Sequence, residues 1–179
     1  RDDMQAFAEA LRKMGVDTIR GNLYADCSMK DADRLGEGWC WDDDNPVLSP
    51  LVFQRKDIFM DKFLEAIHRA GITVLGNVSE KRKPHDVNCI VSRFHTIDQV
   101  LMRMLKQSDN LYAESMYYQI AASTGNRPAT AKDAKNIERQ LITRVGLNAS
   151  RYRLADGSGL SLYNYVSPEL EVKLLRYAF

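Results

Sequence analysis

A serine and an asparagine separated by one residue form the pattern in this sequence with the most specific chemistry. Ser108-Asp109-Asn110 lies between two segments with helical hydrophobic periodicity, so we expect a short turn there. Such a turn presents a hydroxyl and a carboxamide to one cleft. The Ser108 hydroxyl would relay a proton toward a leaving nitrogen, while the Asn110 amide would hold the backbone of an acyl substrate. Both residue types are common, so the pattern alone is weak and neighbouring motifs must decide.

Histidines and glycines give weaker indications. No histidine belongs to an H-E-x-x-H pattern, so we expect neither a metal nor an organic cofactor to be bound through His68, His85 or His95. The polar turn Asp156-Gly157-Ser158-Gly159-Leu160-Ser161 matches neither a dinucleotide-binding nor a P-loop pattern. We expect that turn to shape the wall of a site at most.

An acidic, tryptophan-containing stretch occupies the first third of the chain. Asp31-x-Asp33-x-x-Gly36 approaches a calcium-binding loop, but Leu35 stands where an oxygen ligand is required. A solvated acidic loop is the preferred interpretation. We expect Trp39 and Trp41 to be packed in a core or a domain contact.

Four helices are predicted in the second half, and they must position the Ser108–Asn110 turn. Thr96-x-x-Gln99 is a capping-box signature for the first helix, which should run to about residue 107. The second should cover about 111–122, and the third should start at Thr130-x-x-Asp133 and stop at Gly146. The last should open with Ser167-Pro168 as N-cap and first-turn proline.

The first half repeats a short pattern. Phe7-x-Glu9-Ala10-Leu11, leading to Gly15 and then Gly21-Asn22-Leu23, matches Phe63-x-Glu65-Ala66-Ile67, leading to Gly71 and then Gly76-Asn77-Val78. Each copy predicts an amphipathic helix, a glycine turn and a short strand. Duplication and chance similarity of a common unit are both open interpretations.

Composition limits the class of protein. The chain has 179 residues, is 45% hydrophobic and 27% charged, and carries a net charge of +1, which argues against a dedicated nucleic-acid binder. No apolar run approaches the roughly 18 residues of a membrane span. Residues 1–90 carry a net charge of −3 and residues 91–179 one of +4, so two modules are expected. The three cysteines are odd in number and show no C-x-x-C spacing, so they indicate neither a zinc site nor a disulfide framework.

Several motifs in one order give the sequence its strongest resemblance. It resembles the D-Ala-D-Ala carboxypeptidase/endopeptidase family of penicillin-binding protein 4 type, in which an S-x-N element works beside an S-x-x-K nucleophile and a K-T-G strand. The second half matches through Ser108-Asp109-Asn110-Leu111-Tyr112-Ala113-Glu114-Ser115, Pro128-Ala129-Thr130, Asp156-Gly157-Ser158-Gly159-Leu160-Ser161, Asn164 and Val166-Ser167-Pro168. The first half resembles the family's insertion through Gly21-Asn22-Leu23-Tyr24-Ala25-Asp26, Gly38-Trp39-Cys40-Trp41-Asp42-Asp43 and Ser49-Pro50-Leu51.

The sequence also departs from the family pattern. No serine is followed three positions later by lysine, and Lys-Thr-Gly does not occur. Many relatives have a basic residue where this chain has Leu162. The resemblance therefore implies that Ser108 and Asn110 are catalytic residues and that Asn110 also binds substrate. It implies a structural role, as support of the site, for Gly157, Ser158 and Gly159. We expect an internal piece of a longer protein, because the chain starts at Arg1 and its last apolar-periodic stretch, ending at Phe179, has no stop signal.

The resemblance implies an α/β (α+β) fold. Residues 91–179 would be the helical part of a truncated β-lactamase/transpeptidase-like domain, and residues 1–90 an insertion domain of two helix-Gly-strand units. The full-length parent would be a serine-type peptidase that acts on peptidoglycan peptides and binds β-lactams in the periplasm or another extracytoplasmic space, without nucleic acid. The isolated fragment is expected to be inactive.

Two other classes of function stay open at this stage. The first is a noncatalytic cell-wall-binding or protein-interaction module that keeps the motif only for packing and capping, because Ser and Asn favour helix starts regardless of chemistry. The second is an unrelated α/β enzyme whose likeness to the family is accidental.

Overall fold

A computed structural model describes residues 2–179, which fold into two compact units. Residues 29–48 group with residues 97–179, while residues 49–96 group with the segment up to residue 28. The sequence predicts a single boundary between residues 90 and 91. In the structure, residues 29–48 from the first half belong to the unit formed by the second half.

The first unit consists of two copies of a helix, a turn and two short strands. They are α1 (Asp3–Lys13), β1 (Thr18–Ile19), β2 (Leu23–Ala25), α2 (Phe59–Arg69), β3 (Thr73–Val74) and β4 (Val78–Glu80). Both helices end before a glycine of positive φ, Gly15 at 82° and Gly71 at 74°, a conformation that glycine adopts without steric cost. The predicted repeat is therefore present in three dimensions.

The two copies pair with each other strand by strand. β1 lies parallel to β3 with Thr18 opposite Thr73, and β2 lies parallel to β4 with Leu23 opposite Val78. The offset of 55 residues is the same in both pairs, so equivalent residues of the copies are neighbours. Gly76 needs its missing side chain, because a Cβ there would lie 2.2 Å from the carbonyl oxygen of Gly21.

The core of the first unit lies between α1 and α2. Ala8 and Ala66 are fully buried, and such small side chains let two helices approach closely. Three phenylalanine rings, at positions 7, 59 and 63, pack around this contact with centroid separations of 6.4 to 6.5 Å. Apolar burial of this kind stabilises the repeat far more than its two- and three-residue strands do.

The second unit is helical. It contains α3 (Ile97–Gln107), α4 (Asn110–Ala122), α5 (Ala131–Arg144), a 3₁₀ turn (Ala149–Arg151) and α6 (Pro168–Ala178). Its helix bounds agree with the sequence prediction to within two residues at each stated end. Thr130 and Asp133 form the predicted capping box at α5, and Ser167 caps α6 ahead of Pro168.

Two clusters of buried side chains hold the second unit together. Tyr117, Tyr118 and Ala121 on α4 pack against Ala134 on α5 and against Ala129, which precedes that helix. The second cluster joins α5, the 3₁₀ turn and α6 through Ile142, Tyr152 and Leu170. α3 is amphipathic but has no buried residue in the described chain. None of the helices within residues 2–179 combines the length and apolar character of a membrane span.

Candidate active site

Ser108 occupies the junction between α3 and α4 in a left-handed backbone conformation. Its φ is 51°, and the Asp109 N–H donates to the carbonyl of Met104 at 3.0 Å. This hydrogen bond spans six residues and closes a helix end of the Schellman type, in which glycine is the usual residue at the left-handed position. The chain thus reverses direction at a serine, so the motif residue itself forms the turn.

Asp109 is the residue that anchors the turn. It is the N-cap of α4, it accepts the N–H of Tyr112 at 3.4 Å, and its other carboxylate oxygen accepts Nε of Arg103 at 2.9 Å. Asp109 is 7% exposed, so its charge is paired and hydrogen-bonded in the way that a buried carboxylate requires. The middle residue of the motif, to which the sequence assigned no role, therefore fixes both flanking residues.

The side chains of Ser108 and Asn110 are not enclosed. Ser108 is exposed and Asn110 is half-buried. Neither side chain has a hydrogen-bond partner within residues 2–179. A hydroxyl and a carboxamide that are accessible and free of internal partners, two residues apart at a fixed turn, can bind and orient a polar ligand.

The Asp156–Ser161 turn is organised around the Asp156 carboxylate. One of its oxygens accepts the Gly159 N–H at 2.8 Å, and the other accepts the Ser161 N–H at 2.7 Å. Asn164 Nδ2 and Trp39 Nε1 donate to the same carboxylate at 2.8 and 2.7 Å. With four donors the buried charge is stabilised, and the backbone of the turn is wrapped tightly around it.

A second buried carboxylate joins this turn to α4. Glu114 is 2% exposed, and its Oε1 accepts the N–H groups of Gly157 at 3.1 Å and Ser158 at 2.8 Å. Burial raises the pKa of Glu114, and the hydrogen bonds from Ser158 oppose that rise. Gly157 lies so close to the helix that a Cβ would be 2.5 Å from Cβ of Tyr117. The motif pattern does not single out Glu114, although its position four residues after Asn110 places both residues on one helix face.

The acidic loop that approached a calcium pattern holds a lysine instead. Lys30 is 5% exposed, and its Nζ lies 2.9 Å from Oδ1 of Asp31 and 2.6 Å from the carbonyl oxygen of Asp33. The same ammonium sits 4.5 Å from the ring centroid of Tyr118, a cation–π distance. Residues 32–35 of the loop are exposed, as a solvated loop requires, and the loop also binds the ammonium group of Lys30.

The two tryptophans have different environments. Trp39 packs against the α4–α5 core and binds Asp156, as the packing prediction requires. The same prediction is wrong for Trp41, whose side chain is 83% exposed in the described chain. All three histidines are exposed, and no cluster of three potential metal ligands occurs within residues 2–179.

Comparison with known proteins identifies the class of fold first. The structure is a mixed α/β arrangement that matches part of penicillin-binding protein 4 (DacB) from Haemophilus influenzae, with a TM-score of 0.81 at 20% identity. That match covers 97% of this chain and 56% of the neighbour. The same protein complexed with a β-lactam matches over 69% of this chain and 29% of the neighbour, with a TM-score of 0.60 and 27% identity.

The sequence model of the D-Ala-D-Ala carboxypeptidase 3 (S13) family matches residues 1–52 and 46–179. The chain belongs to this family, which confirms the resemblance seen in its motifs. It is 27% identical over 126 residues to the D-alanyl-D-alanine carboxypeptidase DacB of H. influenzae. This alignment covers 69% of this chain and 26% of that protein. It is 30% identical over 120 residues to a D-alanyl-D-alanine carboxypeptidase of an Actinomadura species. This alignment covers 65% of this chain and 22% of that protein. The chain thus spans about a quarter of these relatives' length.

Proposed function

We propose that this chain is part of a serine-type D-Ala-D-Ala carboxypeptidase/endopeptidase that acts on peptidoglycan peptides outside the cytoplasmic membrane. The accessible Ser108–Asn110 turn, in a chain of the S13 family, is the observation that carries the proposal. The names of the relatives support the peptidase class, and the β-lactam complex of a structural neighbour supports β-lactams as ligands.

The proposed chemistry divides the reaction between this chain and the rest of the full-length protein. A serine of an S-x-x-K element, which residues 1–179 lack, would attack the D-Ala carbonyl and form an acyl-enzyme. Ser108 would relay the proton to the leaving nitrogen, and the Asn110 amide would hold the substrate backbone. Water would then hydrolyse the acyl-enzyme, with the oxyanion stabilised by backbone N–H groups.

Helix capping does not account for Ser108 and Asn110. The N-cap of α4 is Asp109, whose carboxylate accepts the helix N–H, while the Ser108 hydroxyl and the Asn110 amide bind nothing else within residues 2–179. This division of roles favours a catalytic motif over the noncatalytic cell-wall-binding module, in which both residues would serve only packing and capping.

Replacing Asn110 tests the proposal. In the full-length protein we expect Asn110→Ala to slow acylation by a fluorescent penicillin by roughly 10- to 100-fold, because the acyl donor loses an orienting group. Gln119→Ala, on an exposed position of the same helix, serves as the matched control and should acylate normally. Unchanged acylation of a folded Asn110→Ala protein would contradict the proposal and favour the noncatalytic module.

A further inference from the structure

Glu114 carries a buried carboxyl group beside the candidate active site, and the proposed chemistry does not use it. It lies one helical turn after Asn110 on α4 and is 2% exposed. Removing a carboxylate from water is unfavourable unless hydrogen bonds replace its hydration. A hydrophobic residue would fill the same position without that cost, so the carboxylate must supply something that packing alone does not.

What Glu114 supplies is a fixed attachment between two segments. Its Oε1 accepts the N–H groups of Gly157 and Ser158. The Asp156 carboxylate organises the turn internally, but none of its four hydrogen-bond donors lies on α4; they are Trp39, Gly159, Ser161 and Asn164. Glu114 supplies hydrogen bonds from α4 to the turn, and Gly157 packs closely against Tyr117 and the Ala113 carbonyl of the same helix.

We propose that Glu114 is a positioning residue for acylation, because it ties the Asp156–Ser161 turn to α4 and thereby fixes the direction in which α4 presents Asn110. The inference rests on the proposed function, since it requires Asn110 to orient the acyl donor. Asp109 fixes the start of α4, and Glu114 fixes the helix one turn further on. The Asn110 side chain has no internal partner within residues 2–179, so the direction of the helix sets its position.

The experiment compares Glu114 variants of the full-length protein in the rate of acylation by a fluorescent penicillin. We expect Glu114→Ala to lower that rate by about tenfold or more, because an error of about 1 Å in an orienting group costs up to about a hundredfold. Glu114→Gln keeps an oxygen that can accept both N–H groups and should stay within about threefold of wild type. Gln119→Ala is again the control on α4.

A double-mutant cycle separates positioning from a general structural effect. If Glu114 acts through Asn110, Glu114→Ala lowers the rate in the wild type but lowers it no further in Asn110→Ala. An equal loss in both backgrounds, or no loss in either, would overturn the inference while leaving the proposed function intact. A wild-type rate in Asn110→Ala alone would refute the proposed function, and the inference with it.

Folding is monitored by thermal unfolding of each variant. If Glu114→Ala does not fold, Glu114→Asp replaces it in the double-mutant cycle. This variant keeps the buried carboxyl group but has a side chain that is shorter by one methylene. Gly157→Ala disturbs the same attachment from the side of the turn, since its new Cβ would overlap the Tyr117 side chain. Both substitutions should slow acylation in the wild type and have no further effect in Asn110→Ala, and additive losses would overturn the inference.

Discussion

Ser108 holds a left-handed conformation that costs a non-glycine residue about 1–2 kcal/mol. Such strain persists where the surroundings determine the backbone, and it occurs often at functional sites. Here Asp109 holds the backbone next to Ser108 in place, because it caps α4 and forms an ion pair with Arg103. A glycine would form the same turn at lower cost, so the serine is explained by its hydroxyl.

Substituting glycine for Ser108 should separate stability from activity. We expect Ser108→Gly to raise the free energy of unfolding by up to about 1 kcal/mol, because the left-handed strain is relieved. Acylation by a fluorescent penicillin should fall by about a hundredfold, because the proton relay is lost. Ser108→Ala is the matched control, since it loses the hydroxyl but keeps the strain. Wild-type acylation by Ser108→Gly would show that the hydroxyl is not used.

At the scale of elements, α4 and α5 pack through tyrosines and alanines but also enclose acidic side chains. Glu138 on α5 has one carboxylate oxygen, Oε2, that is buried without a hydrogen-bond partner in the described chain. Burial, helped by the negative charges of Glu114 and Asp156 and opposed by Lys135, raises the pKa of Glu138 to about 7. The charged form of Glu138 is thus disfavoured by the helix packing.

This raised pKa predicts a pH-dependent stability. The pKa of Glu138 is 4.5 in its ordinary state and about 7 in the folded chain. The stabilisation from protonated Glu138 is therefore fully present below pH 4.5 and is lost as the pH rises through about 7. Glu138→Gln should therefore raise the free energy of unfolding at pH 8 by on the order of 2 kcal/mol and change it little near pH 4.5. Urea unfolding at both pH values measures this, with the exposed Glu171→Gln as control. An equal effect at both pH values would contradict the expectation.

At the scale of the whole molecule, the chain contributes one of the three catalytic elements of its proposed parent. Residues 29–48 belong to the helical unit because their side chains bind there. Glu37 forms ion pairs with Lys135 and Arg153, and Trp39 binds Asp156. The site therefore depends on a segment that lies between the two repeats in the sequence.

The isolated 179-residue chain should not react with penicillin. It contains neither S-x-x-K nor K-T-G, and loss of the nucleophile alone costs roughly a millionfold in a well-measured serine hydrolase. Mass spectrometry after incubation with a labelled penicillin should show no adduct on the chain and a stoichiometric adduct on the full-length protein. A covalent adduct on the isolated chain would place the nucleophile within residues 1–179 and refute the expectation.

The local features of this protein were determined by its sequence, because they depend on neighbouring residues. Helix starts at Thr130 and Ser167, the glycine ends of α1 and α2, and the turn at Ser108 follow from capping, positive φ and hydrophobic periodicity. The family resemblance was equally readable, since it rests on the order of motifs along the chain.

Only the tertiary structure decided how distant segments meet. Glu114 looks like any helical glutamate until the Gly157–Ser158 backbone is placed against it, and Lys30 looks like a surface lysine until its loop closes around it. Charge balance and the sequence repeat likewise did not predict that residues 29–48 belong to the same unit as residues 97–179. Burial and long-range hydrogen bonds are properties of the folded chain, so spacing along the sequence does not reveal them.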